Sequence, residues 1–396
     1  MIEDYVKECL SCPNPLCEKG CPVGNKIRDF IKALKEDDLD KAGEILYSEN
    51  PFPAITSRVC AYEKQCEGHC VKHFRGQAVV VHEIEKYISD HIKDKYTVKA
   101  FNGRKIAIVG AGISALALSK LLAIDGYSID IYEKEDFIGG AIATGIPEFR
   151  FKHQYLKDIY EELLNLGINF KFHKELGRDI DIHDLMNDYD RVVIATGASL
   201  ENKLCIEGED LAVSGLKLLY DLNILNKQKD YACKSAMVVG GGNVAIDAAR
   251  SLKRFIPEVT IVYRRSEKEM PANLSEIELC KEEDITFSFQ TSPVKIEAKA
   301  DGYDVALIKM ELGDKDESGR ASFKSIANSE YHVHSDLIVA CIGQKFKNIY
   351  SDMEVYKHET SYPNVYIVGD ANVGASTVAH CIGDAKKLKT IIDSSF

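Results

Sequence analysis

The sequence predicts an α/β fold in which a mostly helical, cysteine-rich N-terminal segment precedes two strand–turn–helix–strand units, the second inserted into the first. Three observations carry that expectation. Seven of the twelve cysteines fall within the first 70 residues. A Gly-x-Gly-x-x-Ala turn between an apolar strand and a helix occurs twice. A Gly-Asp turn after a short strand near the C-terminus reads as the returning part of the first unit. The expected boundaries are 1–100, 101–200, 201–330 and 331–396.

The cysteines come first along the chain. Cys9, Cys12, Cys17 and Cys21 follow C-x2-C-x4-C-x3-C-P, and Cys60, Cys66 and Cys70 follow C-x5-C-x3-C. Thiolates so closely spaced hold iron–sulfur clusters. In ferredoxin-type runs the cysteine before proline, here Cys21 before Pro22, ligates the other cluster. Two four-iron clusters take four ligands each, so seven cysteines leave one place for another residue. Two further readings stay open. Structural zinc prefers paired C-x2-C knuckles, and only Cys9 and Cys12 have that spacing. Disulfides need an oxidising compartment, yet the opening MIEDYVKE is charged and lacks the apolar core of a signal peptide. The scattered Cys205, Cys233, Cys280, Cys341 and Cys381 read as buried small hydrophobes in a reducing cytoplasm.

Helical spacing of apolar residues predicts a helix from Asp29 to Leu46 and a short one from Glu83 to Ile92. A charged connector, HIKDKYTVKAFNGRK, leads into the next part. Composition is that of a globular protein: 396 residues, 45% hydrophobic, 28% charged and no Trp. The net charge of −12 argues against general nucleic-acid or anionic-membrane binding. The apolar stretch Ile106 to Ile124 is not a membrane span, because Gly110, Gly112, Ser114 and Lys120 interrupt it and its first half reads as a strand.

The two repeated units begin at Lys105 (KIAIVGAGISALAL…) and Ser235 (SAMVVGGGNVAIDA…). In each, the first glycine (Gly110, Gly240) permits the tight turn. The second (Gly112, Gly242) lets the backbone approach a pyrophosphate, and Ala115 or Ala245 lets helix and strand pack closely. One such turn is weak evidence, whereas two in units of the right length predict two Rossmann-like dinucleotide sites. The acidic or basic end of the second strand distinguishes their ligands. Glu133 closes IDIYE, where a carboxylate accepts hydrogen bonds from ribose hydroxyls and repels a 2′-phosphate. Arg264 and Arg265 close VTIVYRR, and two guanidinium groups suit a dianionic 2′-phosphate; the bland alternative is a pair of solvated charges. The first site therefore fits FAD or NAD, and the second NADP(H).

Two segments favour FAD at the first site. NVYIVGDANVGAST predicts a strand at Val365–Val368, a turn at Gly369-Asp370 whose carboxylate suits a ribityl hydroxyl, and a helix from about Ser376. ATGA, from Ala195 to Ala198, follows the strand RVVIA, and Gly197 there allows close cofactor approach. Gly110, Ala111, Gly112, Ile113, Ser114, Gly140, Gly369, Asp370, Ser376 and Thr377 are the corresponding candidate contacts.

The cysteine frame, GAGISA, GIPEFR (Gly145 to Arg150), ATGA, GGGNVAID, VTIVYRR followed by MPA, and VGDANVGAST occur here in one order across nearly the whole chain. In this it resembles the small subunit of glutamate synthase and the N-terminal portion of dihydropyrimidine dehydrogenase. The resemblance implies that Cys9, Cys12, Cys17 and Cys70 hold one [4Fe–4S] cluster. Cys21, Cys60 and Cys66 would hold the other, with Glu85 as eighth ligand; otherwise Glu85 is a solvent-facing helix residue. It also places Glu133, Arg150 and the backbone near Leu176 against FAD. Gly241, Gly242, Asn243, Val244, Arg264, Arg265 and the turn from Cys341 to Gly343 would contact NADPH. Departures are Ile113, Ser114 and Ala115, where the fingerprint commonly ends Pro-Ala-Gly, and Ala61 after Cys60, where Pro is frequent.

The implied activity is an NADPH-dependent FAD and iron–sulfur oxidoreductase subunit. It would feed electrons to a protein partner within a hetero-oligomer, foremost a glutamate synthase large subunit. Alternatives are a ferredoxin or another reductase such as dihydropyrimidine dehydrogenase, and the direction of flow can reverse. Hydride transfer from nicotinamide to flavin needs alignment more than acid–base help, so no catalytic proton donor is expected. No glutaminase, FMN barrel or pyrimidine-reducing domain fits in this length. Two rival classes are a thioredoxin-reductase-like enzyme, disfavoured because residues 101–396 contain no C-x-x-C, and a scaffold subunit with relict sites.

Overall fold

The computed structural model describes residues 2–315 and 321–396. They form two compact units: Met1–Ile142 with Phe149–Leu200 and Lys345–Phe396, and Ala143–Glu148 with Glu201–Gln344.

In the first unit, helices Ile2–Glu8, Leu16–Lys19, Ile27–Lys35, Leu39–Glu49, Pro53–Val59 and Val81–His91 make up the cysteine-rich part. Val6, Ile27, Phe30, Ile31, Leu46, Ile84 and Ile88 form its core, and Cys9, Cys17, Cys21, Cys66 and Cys70 pack against that core. Each fully buried side chain such as Phe30 contributes about 1.5–3 kcal/mol. The single helix expected from Asp29 to Leu46 is two. Asp37 adopts a left-handed φ of 59°, and the Asp38 carboxylate caps the second helix by accepting from the Lys41 N–H at 2.9 Å. An aspartate at that position starts a helix better than it continues one. The helix expected at Glu83–Ile92 begins slightly earlier, at Val81.

The rest of this unit is a seven-stranded sheet. Its order is 355–356, 359–360, Val365–Ile367, Arg191–Ile194, Lys105–Val109, Ser128–Tyr132 and Asn169–Lys171. Strand 105–109 is central and parallel to both neighbours. Residues 106–109 are all buried, as a continuous apolar strand covered on both faces should be. Strand 365–367 joins it through parallel pairing with 191–194, so the C-terminal segment completes the sheet that the first Gly-rich unit begins. The C-terminal helix, Val378–Ser394, packs along helix Ile113–Ile124. Lys120 on the latter is 1% exposed and is held by Asp94 at 2.8 Å, Glu162 at 2.7 Å and the Pro51 carbonyl at 3.0 Å.

In the second unit a five-stranded parallel sheet runs 213–214, Leu337–Ala340, Ser235–Val239, Glu258–Tyr263 and Thr286–Phe289. Antiparallel strands Thr291–Lys299, Gly302–Lys315, Ala321–Ser325 and Tyr331–Ser335 form a separate sheet. The boundary expected at 330/331 is therefore too early. Strand 337–340 pairs in register with 235–239, and the chain returns to the first unit at Lys345. Among the described residues no helix is long and apolar enough to cross a membrane.

Candidate cofactor sites

Cys21, Cys60, Cys66 and Glu85 line one cavity, together with Asn25, Thr56, Gln65, His82 and Ala379. Glu85 is not the solvent-facing helix residue of the bland reading: it is 6% exposed. Its Oε1 accepts from Asn50 Nδ2 at 3.0 Å and from the Thr56 hydroxyl, while Asn50 Nδ2 also donates to Thr56 Oγ1 at 2.7 Å. Burial raises the Glu85 carboxyl to about 7, against the lowering effect of Thr56, the His82 charge and Asn50. Burial likewise pushes the Cys60 and Cys66 thiols well above their ordinary value and raises Cys21, with Glu85 adding to all three. The second group is drawn together through Cys17. Burial pushes its thiol up to about 12, and Cys70, Glu18 and Cys9 add to the rise; Cys12 is half-buried nearby in sequence.

Buried thiols and a buried carboxylate ionise together only when a positive centre balances them, so this donor set fits an iron–sulfur cluster. Among the described residues no three His, Cys, Asp or Glu side chains converge as a single metal ion would require. Of the five cysteines expected to be buried, Cys280, Cys341 and Cys381 are and Cys233 is half-buried; Cys205 is exposed, on a left-handed residue of φ 57° whose N–H meets Glu209 Oε2 at 2.7 Å.

The first Gly-rich turn has the shape its sequence demands. Gly110 has φ 105°, and a Cβ there would lie 2.5 Å from the Ala195 carbonyl. A Cβ on Gly112 would meet nothing within 4 Å, so the backbone there opens onto free space. Gly139 pairs with Gly112, and Gly140 backs onto it. Ile113 and Ser114 open the following helix and are buried. Glu133 is 7% exposed; Oε2 accepts from the Ala111 N–H at 2.7 Å and Oε1 from the Glu135 N–H at 3.0 Å. Burial raises its carboxyl, opposed by those two N–H groups. Arg150 is half-buried, Leu176 packs partly buried against the core around Val109 and Ile182, and Gly197, at φ 71°, borders open space.

Gly369 closes against this turn, since a Cβ on it would lie 2.0 Å from Ser114 Oγ. Asp370 Oδ1 accepts from the Ser376 N–H at 3.0 Å, Ser376 Oγ at 2.8 Å and Cys381 Sγ at 3.2 Å. Thr377 is the N-cap of the C-terminal helix, which begins at Val378, two residues later than the start expected near Ser376.

That helix also reaches the cysteines. Gln65 Nε2 donates to Thr377 Oγ1 at 3.0 Å, Ala379 lines the Cys60–Cys66 cavity, and a Cβ on Gly383 would strike the Pro22 carbonyl. Lys386 Nζ donates to the Val23 and Glu49 carbonyls, each at 2.8 Å.

In the second unit Gly240 has φ 148°, with room for no Cβ beside the Cys341 carbonyl, whereas a Cβ on Gly242 would meet nothing within 4 Å. Gly241 lies over the Tyr263 ring. Asn243 Oδ1 accepts from the Asn273 N–H at 3.0 Å, and Val244 packs into the core below. Gly343 turns at φ 97°. The two arginines part company: Arg264 is exposed with its guanidinium 4.1 Å from the Phe323 ring centre, and Arg265 is 4% exposed. Of the two, Arg264 is the one that presents its side chain to solvent.

Sequence reasoning missed Asn25, Asn50, Thr56, Gln65 and Phe323. Only Asn25, a polar residue directly after Cys21-Pro-Val-Gly, sits where the motif itself could have flagged it.

Comparison with known proteins gives the same division. Residues 2–97 match the family described as dihydropyrimidine dehydrogenase domain II, 4Fe–4S cluster, and residues 104–385 match pyridine nucleotide-disulphide oxidoreductase. The fold and these matches define an NADPH-dependent oxidoreductase that uses FAD and 4Fe–4S clusters. The glutamate synthase [NADPH] small chain of Escherichia coli is 30% identical over 96% of this chain and 88% of its own length. The chain belongs to the glutamate synthase small-chain family.

The same identity links it to the NADP(+)-dependent formate dehydrogenase subunit beta of Moorella thermoacetica, over 95% of this chain and 59% of that one. The NADPH-Fe(3+) oxidoreductase subunit beta of Geobacter sulfurreducens is likewise 30% identical, over 95% and 63%. Among solved structures, FprA of Mycobacterium tuberculosis in complex with NADPH covers 74% of this chain and 84% of its own, at TM-score 0.65 and 21% identity. Thioredoxin reductase of T. acidophilum follows at TM-score 0.53 and 19% identity, and both show the fold alone.

Proposed function

We propose that this chain is the electron-input subunit of a larger cytoplasmic enzyme, taking electrons from NADPH and delivering them to a partner protein. When bound, FAD accepts a hydride and releases electrons singly, and 4Fe–4S clusters carry them onward. The chain's own residues supply position. Gly112 and Gly242 leave room for a pyrophosphate at each helix start, Glu133 holds the first turn through Ala111, and Arg264 selects the 2′-phosphate.

The observation that carries the reading is the C-terminal helix. Its N-cap, Thr377, belongs to the flavin-side turn, and its second residue, Ala379, lines the cavity of Cys21, Cys60, Cys66 and Glu85. One element thus borders both sites, and those four residues would hold the cluster that adjoins the flavin-side turn and would supply one-electron transfer there. Cys9, Cys12, Cys17 and Cys70 would hold the second.

The foremost partner is a glutamate synthase large subunit. A second reading, supply to another dehydrogenase or a ferredoxin, is favoured by the formate dehydrogenase and NADPH-Fe(3+) oxidoreductase subunits of equal identity. A Cys66→Ser chain tests the relay: NADPH still bleaches the flavin, and electron delivery to the co-purifying partner is lost. Delivery at the unaltered rate overturns it.

A further inference from the structure

Asn25 follows the Cys21-Pro22-Val23-Gly24 turn and is 3% exposed. An asparagine just before a helix usually caps it. Here the N-cap of helix Ile27–Lys35 is Lys26, with no side-chain cap, so the amide of Asn25 has no such employment. It lines the cavity of Cys21, Cys60, Cys66 and Glu85. Among the described residues its Oδ1 is buried without any hydrogen-bond partner, and its Nδ2 donates to none. Leaving a buried amide unpaired is costly, and native proteins keep such a group where a bound species completes it.

The unpartnered buried atom is the amide oxygen; turning the terminal amide over puts Nδ2 in its place, facing a species whose exposed atoms accept hydrogen bonds. The amide offers two N–H donors, and its N and O positions interchange by a rotation of the terminal group. Among its neighbours in the cavity are three cysteine sulfurs and a carboxylate, acceptors that an unpaired N–H donor complements. Hydrogen bonds to sulfur are among the factors that set cluster potentials. A donor stabilises the added negative charge of the reduced state and raises the potential.

We propose that Asn25 is a positioning and tuning residue that donates a hydrogen bond from Nδ2 to a sulfur of the cluster held by Cys21, Cys60, Cys66 and Glu85. This rests on that ligand assignment. The test is an anaerobic redox titration of the full holoprotein followed by EPR, comparing the natural chain with Asn25→Leu, which keeps the bulk and removes the donor. One cluster's midpoint moves to more negative potential, while the other cluster's signal, the flavin absorbance and the iron content keep their original values. An unchanged midpoint in both clusters overturns the proposal. Should Asn25→Leu lose iron, the same-shaped Asn25→Asp is read by the same two criteria. A Cys66→Ser control separates the failures. If Cys66→Ser changes one signal and the Asn25 variants change neither, the hydrogen bond alone is refuted; if Cys66→Ser changes neither signal, the ligand assignment falls and takes the proposal with it.

Discussion

Replacing Arg264 by Ala tests the proposal that this side chain separates NADPH from NADH. The side chain stands exposed at the end of strand 258–263, poised by the Phe323 ring 4.1 Å from its guanidinium. Its neighbour Arg265 is buried. A charge-assisted hydrogen bond to a phosphate is worth about 1.5–3 kcal/mol. At about 1.36 kcal/mol per decade, Arg264→Ala should lower kcat/KM for NADPH by about 10- to 150-fold. The value for NADH, which has no 2′-phosphate, should stay within about twofold on the same scale. Initial rates with a one-electron dye acceptor at both nucleotides read the difference directly, at low ionic strength so that screening does not blunt it. Equal kcat/KM ratios in the variant and the natural chain would refute the assignment of Arg264 to the 2′-phosphate.

Other expectations follow from the same geometry. Gly112→Ala adds a methyl that meets no protein atom within 4 Å, so thermal stability should hold while FAD per chain falls, and full flavin content would contradict the open cradle. Gly110→Ala, with φ 105° and the Ala195 carbonyl 2.5 Å from the new carbon, should instead lower the melting temperature itself. Glu85→Ala should reduce iron per chain and alter one EPR signal only; full iron loading with both signals intact would remove Glu85 from the ligand set. Lys120→Met strands Asp94 and Glu162 without their cation, and breaking a buried pair costs about 3–5 kcal/mol. Because Glu162 keeps 27% side-chain exposure, the low end is expected in a denaturant titration, and an unmoved midpoint would contradict the staple.

What the sequence disclosed and what it hid differ in physical kind. Gly110 and Gly240 were legible because their need is local: a strand-to-helix turn with a carbonyl pressed against the place a Cβ would take. The two Rossmann-like units were legible for the same reason, each being a contiguous apolar strand, turn and helix. The helix break at Asp37 was hidden because apolar spacing continues through it while Asp38 caps a new start. The end of the second unit was hidden because strand 337–340 chooses a partner about a hundred residues away, at 235–239. Arg264 and Arg265 are adjacent and chemically alike, and only packing makes one exposed and the other buried. The setting of Glu85 depends on Asn50 and Thr56, which approach it from elsewhere in the chain, and no spacing rule reports such a convergence.

The most direct test of the account is anaerobic titration of the purified chain with NADPH, followed by flavin absorbance and low-temperature EPR on the same sample. Loss of the flavin band together with the appearance of reduced-cluster signals is the predicted result, dependent on Cys21, Cys60 and Cys66. A flavin that bleaches fully while iron-replete clusters gain no electrons, even with the partner present, would contradict the claim that this chain passes electrons from NADPH through its flavin to its clusters.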